Sequence, residues 1–68
     1  MPAVGSGVIE IRLHGDTEHR VFYVATFAEA VYVLHAFEKK TRKSSQRDIE
    51  TGRENLKELR IWRRREGL

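Results

Sequence analysis

The sequence predicts an α+β fold: a three-stranded antiparallel β-meander followed by one C-terminal α-helix. Three observations carry this expectation. Apolar side chains alternate with polar ones in VIEIRL (8–13), and β-formers dominate RVFYVAT (20–26) and VYVLHAF (31–37). The breaks between these runs, HGDTEH and FAEA, are short enough for hairpin connections. Beyond residue 45 the apolar period changes to that of a helix.

Each element has its own justification. AVGSG (3–7) is too rich in glycine for regular structure, and residues 1–7 read as a flexible start. In the first strand Ile9, Ile11 and Leu13 share one face, while Glu10 and Arg12 share the other. Gly15-Asp16 punctuates the first turn. The second strand sets Phe22 and Val24 against Val21 and Tyr23. The third, VYVLHAF, is apolar at both alternations and is expected to be covered on both faces. Ser45 precedes Asp48 at the spacing of a capping box, and Asp48 and Glu50 fall where a helix dipole favours negative charge. Ile49, Leu56 and Leu59 recur at helical spacing, so a helix is expected over about 46–60, with residues 63–68 as a frayed basic tail. Gly52 lies on the apolar side of that helix, where the loss of a side chain would let it approach the sheet. One helix covers one face of a sheet. The Ile9, Ile11 and Leu13 row and one side of VYVLHAF are therefore candidates for an uncovered apolar face, and for self-association into a two-fold dimer.

The chain has 68 residues, which suit one small domain with one core. The absence of cysteine removes disulfides and thiolate metal sites. No apolar run reaches the ~20 residues that span a bilayer, and MPAVGSGVIE lacks the basic start and apolar core of a signal peptide, so a cytoplasmic protein is expected. The net charge of +3 is unevenly placed. Residues 1–38 carry two arginines against five carboxylates, a net of −3, and residues 39–68 carry 11 Lys and Arg against five carboxylates, a net of +6. The densest positive charge, Lys39, Lys40, Arg42 and Lys43, follows directly on the most apolar segment. Such a patch fits either a solvated turn or a site for a polyanion such as RNA.

No Gly-rich phosphate loop, HExxH or cysteine–histidine cluster is present, and His14, His19 and His35 are too scattered to suggest a metal site. His35 stands apart because it ends an apolar strand beside the basic segment; it reads either as a satisfied edge histidine or as a proton-transfer group. If the strands form hairpins, one end of the sheet gathers Arg12, Arg20, His35, Lys39 and Lys40. Those residue types suit metal-free cleavage of RNA through its own 2′-hydroxyl. That reaction needs a group to take the hydroxyl proton, cations to stabilise the crowded phosphate, and a proton for the leaving 5′-oxygen. Arginine offers a planar fork of donors for phosphate, and crowded cations lower the pKa of a lysine.

The stretch VYVLHAFEKKTRKSSQRDIETGRENLKEL resembles the HigB-type, phage-derived branch of the RelE/ParE toxin–antitoxin superfamily. The motifs that carry the resemblance are Glu10-Ile11-Arg12, then His19 to Tyr23, then Leu34 to Thr41, then Asp48 to Gly52; together they span about residues 5–59. The resemblance implies a RelE-like fold and a toxin that cuts mRNA on the ribosome without metal or cofactor. Its implied partner is a cognate helix-turn-helix antitoxin. By position, Arg20 looks like the family's phosphate-clamping arginine, Lys39 and Lys40 fall in the basic segment after the third strand, Arg12 takes the place of the arginine in the ELR strand, and His35 matches the motif. The expected catalytic residues are therefore Arg20, Lys39, Lys40 and His35, with Arg12, Arg42 and Lys43 expected to contact substrate. Two features depart from the pattern. Thr51-Gly52 stands where the branch has an alanine-containing pair, and the helical hairpin that usually precedes the first strand is not in this sequence. Three expectations follow from that second departure: a truncated relative, a fragment, or a toxin that completes its core by dimerising. The alternative function is a non-catalytic module that binds nucleic acid or protein.

Overall fold

The computed structural model describes residues 3–39 and 46–68. Strands β1 (Val8–Leu13), β2 (Glu18–Val24) and β3 (Tyr32–Lys39) are followed by helix α1 (Gln46–Arg65). The strands lie in the order β1-β2-β3, each antiparallel to its neighbour, as the short connections require. The α+β meander read from the sequence is the observed fold. Ser45, the expected N-cap, lies outside the described residues.

The helix runs past its expected end near residue 60, and the segment expected to fray is helical through Arg65. A C-terminal cap explains the difference. The Leu68 N–H donates to the Arg63 carbonyl at 2.8 Å and the Gly67 N–H to the Arg64 carbonyl at 3.2 Å, with Gly67 at φ 75°. This is a Schellman closure, in which a glycine at positive φ satisfies the last carbonyls. Arg63 adds a side-chain anchor: its Nε and Nη2 donate to the two Glu29 oxygens at 2.7 and 2.9 Å, and its guanidinium lies 3.6 Å above the Phe27 ring. The connection between β2 and β3 is thereby tied to the last turns of the helix.

The strand register sorts the sheet into two faces. Val8, Glu10 and Arg12 stand opposite Val24, Phe22 and Arg20, and Phe22 and Arg20 stand opposite His35 and Phe37. This is the face the helix covers. Its core is Val8, Phe22, Val24 and Leu34 from the sheet with Leu56 from the helix and Val4 from the N-terminal segment. Gly52 makes that contact possible. A Cβ there would come within 3.0 Å of both Phe22 and Val4, so the bare backbone is what lets the helix settle on the sheet. Residues 3–7 form no strand or helix, yet they are held rather than loose. Val4 is buried, the Arg53 guanidinium donates to the Ala3 carbonyl, and the Val8 N–H donates to the Gly5 carbonyl at 3.3 Å.

The opposite face is open. Ile9, Ile11 and Leu13 are 44%, 41% and 53% exposed and Val33 is 65% exposed. The expectation that both sides of VYVLHAF are covered does not hold, because β3 is an edge strand packed by the helix on one side only. Its two-sided apolar pattern has a further cause. Tyr23 pairs with Val33 while Phe22 pairs with His35, so Leu34 is an extra residue in a β-bulge. The bulge breaks the alternation, and Leu34 becomes a core residue beside the half-buried His35. The Asn55 side chain donates to the Leu34 carbonyl at 2.6 Å, supplying from the helix a partner within the irregular stretch.

Candidate functional site at the end of the sheet

The hairpins bring the expected residues to one end of the sheet. Arg12 is the register partner of Arg20, Arg20 of Phe37, and Glu18 of Lys39. With the period of two, Arg12, Arg20, His35 and Lys39 all belong to the helix-covered side. Lys40, Arg42 and Lys43 lie outside the described residues.

Arg20 is buried, and carboxylates surround it. Its Nη1 donates to both Glu10 oxygens at 3.2 Å and its Nη2 donates to Glu18 at 2.9 Å. Burial opposes its charge, but the hydrogen bonds to Glu18 and Glu10 prevail and hold its pKa above the ordinary value. The hydrogen bond from Arg20 in turn holds Glu18 below the usual carboxylate range, with the nearby charge of Lys39 adding to the effect. Arg12 is exposed, and its Nε donates to Glu10 at 3.2 Å, so one carboxylate bridges two arginines on neighbouring strands. Glu10, on the polar alternation of β1, is therefore the residue that lets like charges face each other. Glu18 is the more accessible of the two acids, its side chain 35% exposed against 12% for Glu10.

His35 is oriented from the helix. Its Nε2 lies 2.8 Å from Asp48 Oδ1, and its ring stacks on Phe37 with centroids 5.1 Å apart. Phe22 meets Phe37 edge-on at 5.2 Å, so the stacked pair rests on the core. Asp48 contributes to the first turn of α1, as expected, and also fixes the imidazole. That second role was not visible in the sequence, since the two residues are 13 positions apart on different elements. The bulge at Leu34 and the part of Asn55 in holding it were likewise unmarked. Among the described residues no carboxylate lies within ion-pair distance of Lys39, and no group of three or more His, Asp and Glu could hold a metal ion.

Chemically, this end offers a half-buried imidazole held by a carboxylate, an ammonium on the same strand, and an arginine whose more exposed partner is a carboxylate at the strand end. Residues 1–57 match the family described as phage derived protein Gp49-like (DUF891). The chain belongs to that family. The Gp49-like family in turn belongs to the RelE/HigB-like toxins, which is consistent with a toxin of a toxin–antitoxin system and suggests an antitoxin as partner. No curated protein and no solved structure matches the chain. Among the described residues no helix is long and apolar enough to cross a membrane.

Proposed function

We propose that the chain is a HigB-type toxin of a type II toxin–antitoxin system, a metal-independent endonuclease that cuts mRNA on the ribosome. The observation that carries this reading is the His35–Asp48 pair, 2.8 Å apart, on the strand that also presents Lys39. Asp48 accepts the Nε2 proton of neutral His35, which leaves Nδ1 as the basic nitrogen that takes the 2′-hydroxyl proton. The 2′-oxygen attacks phosphorus, the bond from phosphorus to the 5′-oxygen breaks, and a lysine ammonium returns a proton to the leaving oxygen. Lys39 and Lys40 supply that ammonium and the charge that stabilises the phosphate, with Arg42 and Lys43 continuing the basic segment. Arg12 is exposed to substrate. Arg20 clamps phosphate by exchanging Glu18, its more exposed partner, while Glu10 keeps it in place.

Two partners belong to this reading: a helix-turn-helix antitoxin, and a second copy of the chain on the open apolar face. Controlled expression in a bacterial host is the test of activity. Growth arrest with loss of mRNA, abolished by His35→Ala and strongly weakened by Asp48→Asn, supports the toxin. Normal growth and intact mRNA on expression of the folded wild-type chain would favour a non-catalytic binding module instead.

A further inference from the structure

The outer flank of α1 carries four cations in a row: Arg53, Lys57, Arg60 and Arg64. Steps of four, three and four residues return each to nearly the same side of a helix with ~3.6 residues per turn. The row rises by about 6, 4.5 and 6 Å between neighbours, a regular track about 16 Å long. It borders two adjoining clefts. One, of about 330 Å³, has an apolar floor of Val4, Leu56 and Ile61. The other, of about 370 Å³, lies where Arg60 and Arg64 meet Ser6, Thr26 and Phe27.

Three of these cations are available to a ligand, while the fourth, Arg53, donates to the Ala3 carbonyl. Lys57, Arg60 and Arg64 are exposed, and among the described residues none has a carboxylate within ion-pair distance. Arg63, by contrast, spends both arms of its fork on Glu29. Glu54 and Glu58 lie about 60° or more around the helix from the row, and Glu50 stands at its start, one turn before Arg53. Arg60 and Arg64 lie beside Val24 and Phe27, at the opposite end of β2 from Arg20. The row is therefore a separate surface from the His35 end.

We propose that this flank is a second binding surface, for the phosphate backbone of single-stranded RNA. A linear track of positive charge is what a phosphate backbone requires, and three of the four cations are arginines, whose planar donors match phosphate oxygens. The apolar floor favours a single strand, whose bases are free to rest on it, over a duplex that keeps its bases inside. The proposal stands whether or not the His35 end cleaves RNA.

The test is the salt dependence of binding, read by fluorescence anisotropy with the full chain and a labelled oligouridylate. Each phosphate contact to single-stranded nucleic acid contributes about 0.7 to the slope of log affinity against log salt. The variant K57A/R60A/R64A is expected to lower that slope by about 2 while far-ultraviolet circular dichroism stays unchanged. Each single substitution, safe for the fold even where the triple one is not, is expected to lower it by about 0.7. Arg60→Lys should keep the slope and lose some affinity. Lys39→Ala should leave the loss caused by the flank substitutions unchanged in size. An unaltered slope in the single and triple variants would overturn the proposal. So would equal loss of binding to polyglutamate, which would mark the flank as a surface for an acidic protein.

Discussion

Along β1 the two faces of the sheet differ in the opposite sense to hydropathy. Along β1 the residues turned toward the helix are Val8, Glu10 and Arg12, and those turned toward solvent are Ile9, Ile11 and Leu13. The covered face thus carries a buried arginine and its carboxylates beside its core, whereas the bare face of β1 is purely aliphatic. The helix is placed by Gly52 against Phe22 and by Leu56 in the core, not by the longest apolar row. An aliphatic row left open on so small a domain is the face proposed above for a second copy. The buried Arg20 and its carboxylates sit at the end of the sheet proposed above for chemistry.

The sharpest test of this contrast sets one residue from each face against the other. Phe22 is fully buried, so Phe22→Ala is expected to cost about 3–5 kcal/mol of stability. Ile11→Ala, on the open face of an edge strand, is expected to cost about 1 kcal/mol or less within the monomer. Urea unfolding of both variants decides it, and equal losses would mean that the faces are assigned wrongly. The same series run at several protein concentrations tests the second copy proposed for the open face. The wild-type midpoint should rise with concentration, because a partner binds only the folded form, and Ile11→Lys should remove the rise. A wild-type midpoint independent of concentration would leave the face bare.

A smaller effect separates two arginines on one row. Arg20→Met removes a buried guanidinium, takes from Glu18 its Arg20 donor and leaves Glu10 with Arg12 alone; a loss of about 1–3 kcal/mol is expected. Arg12→Met removes an exposed donor to the same Glu10 and should cost about 0–1 kcal/mol. Thermal or urea unfolding at neutral pH compares them. If Arg12→Met proves the more damaging, Glu10 is held from the solvent side and Arg20 is the freer of the two.

How far the sequence led follows from which signals are local. The meander and helix were legible because period two and period 3.6 are properties of neighbouring residues. The register partners Arg12 and Arg20 followed from the hairpins, and so did the gathering of Lys39 at the same end. The helix end was misplaced because apolar residues stop at Trp62 and the charged run after it reads as a frayed tail, while the cap that carries the helix on depends on Gly67 and on an anchor to Glu29. The Leu34 bulge was illegible because an extra residue in an apolar run leaves no mark in composition. The His35–Asp48 contact was illegible for a related reason: it depends on how the helix docks, and docking is set by Gly52 and Leu56 together.

The smallest expected effect belongs to the far end of the covered face, where Glu29 joins the helix to the β2–β3 connection. Its carboxyl accepts hydrogen bonds from Arg63 and from the Tyr32 hydroxyl, and the Arg63 contact above all lowers its pKa from 4.5 to about 2. A carboxyl whose pKa is lower in the folded chain stabilises it fully above the unfolded value, and the contribution fades as pH falls from about 4.5 toward 2. Glu29→Gln should therefore narrow the loss of thermal stability over that acid range, and Arg63→Met should narrow it in the same way. The clamp is open to solvent, so added salt should shrink the difference between wild type and either variant. The Arg20 guanidinium, which is buried, should respond less to salt under the same conditions. An acid profile identical in wild type and Glu29→Gln would show that the helix end is held by its glycine cap alone, and that only the Arg20 end of the covered face depends on charge.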